Sequence, residues 1–250
     1  CVLCGRTPVP PESGLRPAHL LTRKAIAIVG EAPGEQEERQ GRPFVGPSGQ
    51  ELDKTLRAAG INRRDCLVTN TILCRPPDNK LKELNDRISR QNKKAAAEAR
   101  AAGKEPPTPT PTPAECCRPR FEAEVESITN FITLGKTATA AVTGNDASIM
   151  AVRGSLMTFE PTDRFPLSRR VVPTVHPAFV LRQMRWAHVF RNDIGKAARW
   201  FRGEAEWREP EIVYNPSAEE LREFLSDPDK IYAFDLETDG IESLDANIRC

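Results

Sequence analysis

The sequence predicts an α/β protein, a three-layer α/β/α sandwich around a mainly parallel four-stranded sheet. Four short apolar runs have the composition of buried strands, at residues 25–29, 67–69, 128–134 and 171–175. Segments with helical apolar spacing separate them, at 50–59, 114–127, 136–142 and 186–201. Because strands that alternate with helices form parallel sheets covered on both faces, this alternation predicts the three layers.

Composition and length indicate a globular protein with one complete domain and part of a second. The chain has 250 residues, of which 39% are hydrophobic and 28% are charged, and its formal net charge is +1. No apolar run reaches the roughly 18 residues of a membrane helix, so we expect a soluble protein with no membrane partner. We further expect a cytoplasmic monomer. The chain has no initiator Met and begins and ends on Cys, which we interpret as a fragment of a longer polypeptide.

A long glycine- and proline-rich loop follows the first predicted strand. It contains G-E-A-P-G at 30–34 and G-R-P-F-V-G-P-S-G at 41–49, and it leads into the helix predicted at 50–59. Ligands bind at such places, beyond the carboxyl ends of parallel strands and near helix N-termini. Phe44 lies between glycines of this loop, where a flat ligand could stack on its ring. The alternative is that Phe44 is a core aromatic residue.

Two charged segments stand apart from the strand and helix pattern. Residues 80–105 hold eight Lys/Arg and four acids, and a Thr-Pro alternation follows at 106–113. We expect 80–113 to be an exposed, partly helical insertion that ends in an extended spacer. From 164 to 202 there are nine Lys/Arg and one acid, Asp193. Such a block suits a nucleic-acid backbone, and the alternative is a solvated helix face.

The cysteines indicate a metal or cluster site rather than a disulfide framework. There are seven, an odd number, and the sequence shows no export signal. Cys1 and Cys4 have the spacing of a chelating pair. Together with Cys74 and Cys117 they would hold either a [4Fe–4S] cluster or zinc, and spacing does not separate the two. The alternative is that Cys74 and Cys117 are ordinary buried cysteines.

Five short motifs follow one another along the chain. They are G-E-A-P-G, G-R-P-F-V-G-x-x-G, T-N-x-x-x-C-R-P-P, C-x-P and H-P-A-x-x-L-R. In this order they resemble the family 4 uracil-DNA glycosylases, the iron–sulfur branch of the uracil glycosylase superfamily. The resemblance covers about residues 1–202 apart from the insertion. It implies a [4Fe–4S] cluster on Cys1, Cys4, Cys74 and one of the adjacent pair 116–117, of which Cys117 matches the C-x-P spacing.

The resemblance also implies a pocket that receives a uracil flipped out of DNA. Phe44 would stack on the base. Asn70, at the end of the second strand, would accept from uracil N3–H and donate to O4, which discriminates against cytosine. His176, at the end of the fourth strand, would stabilise the negative charge that develops at uracil O2. Without the motifs, a turn role for Asn70 and a structural role for His176 would be the alternatives.

The remaining expected site residues surround the scissile bond. Ala32 stands where many glycosylases of the wider superfamily carry Asp or Asn to activate water, and family 4 also has Ala there. Glu31 is therefore the candidate that orients water or stabilises the sugar cation. Backbone amides near Gly34 and at 47–49 would hold phosphates. We expect a minor-groove wedge at 179–182. The expected substrate-binding residues are Gly30, Ala32, Phe44, Ser48, Asn70 and Arg182.

After the glycosylase-like domain at 1–202 and a charged linker at 203–210, a second α/β pattern begins at 211–250. It comprises predicted strands at 212–214 and 231–235 and a helix at 217–225. F-D-L-E-T at 234–238 resembles the first motif of DEDD-type 3′–5′ exonucleases, which have a ribonuclease H-like fold. By this resemblance, Asp235 and Glu237 of this chain would bind two divalent ions, Mg²⁺ or Mn²⁺. The alternative is a plain acid pair at a strand end.

The sequence therefore predicts a uracil-DNA glycosylase that removes deaminated bases from DNA in base excision repair. The second pattern adds the expectation of a fusion to an exonuclease and a family A DNA polymerase. Two alternatives remain open. One is a catalytically inactive module that senses uracil for the polymerase, and the other is a zinc-bound DNA-binding domain.

Overall fold

The computed structural model describes residues 8–14, 25–205, 213–229, 232, 237–238 and 248–249. The chain divides into two compact units, Cys1–Trp207 and Arg208–Cys250. Cys1, Cys4 and Asp235 lie outside the described residues, so their expected roles stay predictions.

The first unit is built on a mixed six-stranded sheet. Its strands are β1 (Glu12–Ser13), β2 (Ile26–Gly30), β3 (Cys66–Asn70), β4 (Asn130–Leu134), β5 (Met157–Phe159) and β6 (Arg169–Thr174). The order is β1-β3-β2-β4-β6-β5, with β3, β2, β4 and β6 parallel and the two edge strands antiparallel. The predicted count of four strands is therefore wrong. The four predicted runs form the parallel centre, whereas strands of two or three residues are too short to show a period.

Helices cover both faces of this sheet. In chain order they are α1 (Glu35–Gln40), α2 (Pro47–Ala58), α3 (Leu81–Ala101), α4 (Pro113–Val125), α5 (Lys136–Thr143), α6 (Ile149–Val152), α7 (Pro177–Arg182) and α8 (Ala187–Phe201). Alternate strand residues face opposite layers. Ile28 of β2 packs in a buried cluster with α2 and α8, whereas Val29 packs in a second cluster with α4 and α5. This is the three-layer arrangement that the sequence predicts.

The insertion at 80–113 folds as a long helix and a return segment. Helix α3 takes up 21 residues, and only Leu81 among them is buried. The Thr-Pro stretch has no regular structure, but it is attached to the helix by a pair of hydrogen bonds. Asn92 Nδ2 donates to Thr110 O and Thr110 N donates to Asn92 Oδ1, both at 2.9 Å. In the part of the chain that the structure describes, no helix is both long and apolar enough to cross a membrane.

The second unit contains one helix and one short strand pair in its described residues. Helix α9 (Ala218–Phe224) begins after Ser217, whose hydroxyl accepts from Glu220 N as an N-cap. Strands β7 (Glu237–Thr238) and β8 (Ile248–Arg249) pair antiparallel. The strand predicted at 212–214 is wrong for Val213 and Tyr214, which belong to no strand, and most of the strand predicted at 231–235 lies outside the described residues.

Candidate functional site

A cavity of about 580 Å³ opens at the carboxyl ends of the parallel strands. Each parallel strand contributes to its walls through the loop that follows it, as expected for an α/β sheet. Among the expected site residues, those that line it are Glu31, Ala32, Phe44, Ser48, Asn70, His176 and Arg182. Chain segments about 150 residues apart therefore meet at one place.

Gly30 lies under the cavity rather than among its lining residues. It ends β2 and pairs in register with Asn70, the last residue of β3. A Cβ atom at Gly30 would lie 2.5 Å from Phe44 Cζ and closer still to Asn70 Oδ1. Only glycine therefore allows Phe44 and Asn70 to approach each other over the end of β2.

Phe44 forms one wall of the cavity with an unusual backbone. Its φ is +52°, and its ring is 5% exposed. The ring stacks on His176 with centroids 5.9 Å apart and an interplanar angle of 29°. Arg63 Nη1 donates to Phe44 O at 3.0 Å, and Nη2 donates to Pro43 O at 2.6 Å. The ring is thus both a core residue and a pocket wall, and Arg63 fixes the strained turn that places it.

Glu37, which none of the sequence motifs indicates, holds the same loop together. The sequence predicts a long loop here, but the segment contains α1, and Glu37 is buried within this helix. Its Oε1 accepts from Val45 N at 2.9 Å and Gly46 N at 2.8 Å, and its Oε2 accepts from Gly34 N at 3.1 Å. The Gly34 amide, expected to hold a phosphate, is thus bonded to protein. In the G-x-x-E spacing at 34–37, Glu37 occupies the third helical position and bonds the N-cap amide, as the Glu of a capping box does, and this spacing is the signal that could have identified it.

The side-chain amide oxygen of Asn70 accepts no hydrogen bond from the described residues. The residue itself is 2% exposed. A buried carbonyl oxygen without a donor costs about 1–3 kcal/mol. Because this oxygen lies beside Phe44 in the cavity, a ligand N–H there would satisfy it.

His176 is the N-cap residue of α7 and a neutral donor to the cavity. Its Nδ1 accepts from Ala178 N at 3.1 Å, which places the ring proton on Nε2. Burial lowers the pKa of His176 to about 4, with a further contribution from the charge of Arg182 and an opposing one from Glu37. The imidazole is therefore uncharged at neutral pH. The structural role of this histidine, capping α7, uses Nδ1, and the functional role, donating into the cavity, uses Nε2.

Glu31 and Ala32 form the part of the cavity next to β4. Thr137 Oγ1, in α5, donates to Glu31 Oε2 at 2.5 Å and orients the carboxylate. Ala32 contributes only a methyl group, and the acidic side chains that line the cavity are those of Glu31 and Glu37. Ser48, the second residue of α2, lines the cavity near the N-terminus of that helix.

The outer lip is formed by α7 and the residues after it. Arg182 is exposed and lines the cavity, while Leu181 is 40% and Met184 62% exposed. Two other arginines of the basic block point inward, and their expected role as a phosphate surface is wrong. Arg169 donates to Val142 O, and Arg170 donates to Asn130 Oδ1 and to the carbonyls of 200 and 201. Burial lowers the pKa of both guanidinium groups.

Two of the expected cluster ligands are described, and both are buried, as expected for ligands of either an iron–sulfur cluster or zinc. Cys74 and Cys117 are 5% and 7% exposed, and Cys117 packs with Ile72 and Leu81. Val9 N donates to Leu73 O at 2.8 Å. The leader, as we call the N-terminal residues before β1, therefore passes beside Cys74 at Val9. Cys4 precedes Val9 by five residues, a reach of at most roughly 17 Å. No group of three or more ligands occurs among the described residues alone, which contain only two of the four expected thiols.

Cys66 and Cys116 lie outside the expected ligand set. Cys66 begins β3, where burial raises the pKa of its thiol to about 12. Such a thiol remains protonated and has the character of a small core residue. Cys116 is more exposed than its neighbour Cys117, which is consistent with the choice of Cys117 for the inward-facing position.

Known proteins match the chain over most of this unit. Residues 20–200 match the Uracil DNA glycosylase superfamily. The type-4 uracil-DNA glycosylase of Thermotoga maritima is 33% identical over 184 residues, which are 72% of this chain and 79% of the relative. The type-4 enzyme of Saccharolobus solfataricus is 29% identical over 182 residues, 70% of each chain. The chain belongs to the uracil DNA glycosylase superfamily, and type-4 uracil-DNA glycosylases are among its relatives.

Proposed function

We propose that this protein is a uracil-DNA glycosylase, a hydrolase that cleaves the N-glycosidic bond of deaminated bases in DNA during base excision repair. The observation that carries the proposal is the meeting of Phe44, Asn70 and a neutral His176 in one cavity. These groups offer a stacking surface, an amide and an imidazole N–H donor. Uracil presents the complementary ring face, N3–H and O4, and O2.

Asn70 reads the base by its hydrogen-bond pattern. Its unsatisfied Oδ1 accepts from uracil N3–H, and Nδ2 donates to uracil O4. Cytosine carries an acceptor at N3 and a donor at its 4-amino group, so both bonds would be lost. The Phe44 ring stacks on the flipped base. The cavity, at about 580 Å³, has room for the base together with its sugar.

His176 stabilises the leaving group. As the C1′–N1 bond breaks, its electron pair moves to uracil and negative charge develops at O2. Nε2–H of the uncharged imidazole donates to O2, and removal of a donor of this kind typically costs about 3 kcal/mol. Water then adds to C1′ and its released proton goes to solvent. We propose that Glu31, whose carboxylate accepts a hydrogen bond from Thr137, stabilises the sugar cation and orients the water.

DNA contacts extend outward from the cavity. We propose that Ser48 and the amides at the start of α2 bind phosphate, since a helix N-terminus favours anions. Arg182 binds phosphate at the opposite lip. Leu181, exposed beside it, enters the minor groove as the tip of the wedge. The partner is DNA that contains uracil.

We further propose that Cys1, Cys4, Cys74 and Cys117 hold a [4Fe–4S] cluster. Burial of Cys74 and Cys117 and the position of the leader beside Leu73 support this set. When bound, the cluster supplies a covalent connection between the leader, the segment after β3 and α4. Brown colour with broad absorbance near 400 nm is expected of such a cluster, whereas a colourless protein with four bound thiolates would indicate zinc.

For the second unit we propose the start of an exonuclease domain of a DNA polymerase polypeptide. The support is the D-x-E spacing of Asp235 and Glu237, since alternate strand residues share a face and two carboxylates can bridge divalent metals. The full polypeptide should shorten DNA from its 3′ end with Mg²⁺ or Mn²⁺. Unchanged degradation in the Asp235→Ala variant would exclude this role.

A glycosylase assay tests the main proposal. Incubation with uracil-containing single-stranded DNA should release uracil and leave alkali-labile abasic sites. The second candidate is an inactive module that senses uracil. It stays open because Ala32 supplies no general base, although the family 4 enzymes that the chain resembles also have Ala there. Tight and selective binding of uracil-containing DNA without base release would support this module and exclude the enzyme.

A further inference from the structure

Arg120 attaches helix α4 to the end of β3. Its Nη2 donates to Asn70 O at 2.9 Å and to Thr71 O at 2.8 Å. Its Nη1 donates to Glu124 Oε2 at 2.6 Å and to Thr69 Oγ1 at 3.3 Å. All four terminal N–H groups of the guanidinium are therefore used, and three consecutive residues around Asn70 accept from one side chain.

Arg120 contacts the part of β3 that is no longer paired with the edge strand β1. The described pairing of β1 with β3 ends at Val68, two residues before Asn70. On the inner side, Thr71 N and Oγ1 both donate to Gly30 O, at 2.9 and 3.1 Å. Asn70 Oδ1 has no hydrogen-bond partner among the described residues. The orientation of this side chain therefore depends on the position of the Asn70 backbone.

We propose that Arg120 is a positioning residue for base recognition, acting through Asn70. The guanidinium holds the carbonyls of Asn70 and Thr71, and these carbonyls determine the direction of the Asn70 amide in the cavity. The inference rests on the proposed function, because it assigns Arg120 to the residue that reads uracil. Arg120 itself does not line the cavity, so its effect on a ligand is indirect.

Position 120 requires an arginine because the hydrogen-bond acceptors around it are spread over three residues and a carboxylate. The planar fork reaches two carbonyls with one nitrogen and a carboxylate with the other. Lysine has one nitrogen and does not span these acceptors. Glu124 is 18% exposed and also accepts from Thr69 Oγ1 at 3.0 Å, so it orients the fork from the side opposite Asn70.

The test compares Arg120→Lys, in α4, with the matched variant Arg170→Lys, in β6. Arg170 also donates to two backbone carbonyls and one side chain, but it lies at the start of β6 and outside the cavity. Arg120→Lys should lower kcat/KM for uracil-containing DNA about 10–100-fold, the range expected when a reading group shifts by a fraction of an ångström to 1 Å. It should also raise the inhibition constant of free uracil. Arg170→Lys should change both by less than about twofold.

A double-mutant cycle separates positioning from a purely structural role. In an Asn70→Ala background, Arg120→Lys should have less than about a twofold further effect, because the group that it positions is absent. Additive losses, or equal effects of Arg120→Lys and Arg170→Lys, would overturn the inference. If Arg120→Lys does not fold, Glu124→Gln replaces it in the same cycle.

The same variants distinguish failure of the inference from failure of the proposed function. Release of uracil by the unmodified protein tests the function. If no base is released, the preference for uracil-containing over cytosine-containing oligonucleotides in binding takes the place of kcat/KM. Loss of that preference in Arg120→Lys supports the positioning role, and an unchanged preference excludes it.

Discussion

The two walls of the cavity are held by different means. The wall that carries Phe44 depends on long-range polar contacts, since Glu37 binds three backbone amides and Arg63 binds two carbonyls. The wall that carries His176 is mainly local, because the histidine caps its own helix. The position of His176 therefore depends on a local helix cap, and the position of Phe44 depends on a loop held by Glu37 and Arg63. Substitutions should affect the two walls in different ways.

The largest effect is expected at the His176 wall. His176→Asn keeps a good N-cap for α7 but removes the Nε2–H donor. We expect kcat to fall about 10²–10³-fold with little change in melting temperature. Single-turnover uracil release and thermal unfolding measure the two quantities. A loss of activity below tenfold would show that the imidazole does not stabilise the leaving group.

Asn70, which also lines the cavity, tests whether the cavity reads the base. Asn70→Asp replaces the N–H donor facing uracil O4 with a second acceptor, so kcat/KM for uracil should fall about 10²-fold, and cytosine release should become detectable. Asn145→Asp is the control, because Asn145 is exposed and its Oδ1 accepts from Ala147 N, which Asp also does. Unchanged discrimination in Asn70→Asp would contradict the reading role.

At the Phe44 wall we expect a coupled loss of stability and activity. Glu37→Gln places an NH₂ group against backbone N–H donors, which should lower the free energy of unfolding by about 1–3 kcal/mol. The shifted loop should lower kcat/KM about tenfold. Urea unfolding and steady-state assays provide the measurements. Glu35→Gln, on the exposed side of α1, should change stability by less than about 0.5 kcal/mol.

The His176 wall should also show a pH response. The pKa of His176 is lowered to about 4 in the folded protein, so the unfolded chain binds more protons between that value and its ordinary pKa. The contribution of this residue to stability is present above about pH 6.5 and decreases as the pH falls toward 4. Urea unfolding across this range should show the decrease, and His176→Asn should reduce it. An identical slope in both proteins would contradict a buried neutral histidine.

The same difference decides what the sequence could predict. The ordered motifs singled out His176, Asn70 and Phe44, and the three meet in one cavity because each follows a parallel strand or lies in the glycine-rich loop after one. Arg63 and Arg120 were not predictable, since their partners lie 20 and 50 residues away and depend on tertiary packing. The basic block was misjudged for the same reason. Composition does not distinguish an arginine that bonds a carbonyl, such as Arg170, from one at the lip, such as Arg182.

The insertion at 80–113 leaves the fold and returns to it at one place. Leu81, at its start, and Ala114, just after its end, pack in the same small cluster with Ile72 and Cys117. The intervening helix is almost entirely exposed. A segment with adjacent ends is a natural position for protein engineering. Residues 83–111 could be exchanged for a short linker or a fluorescent domain, because none of them lines the cavity.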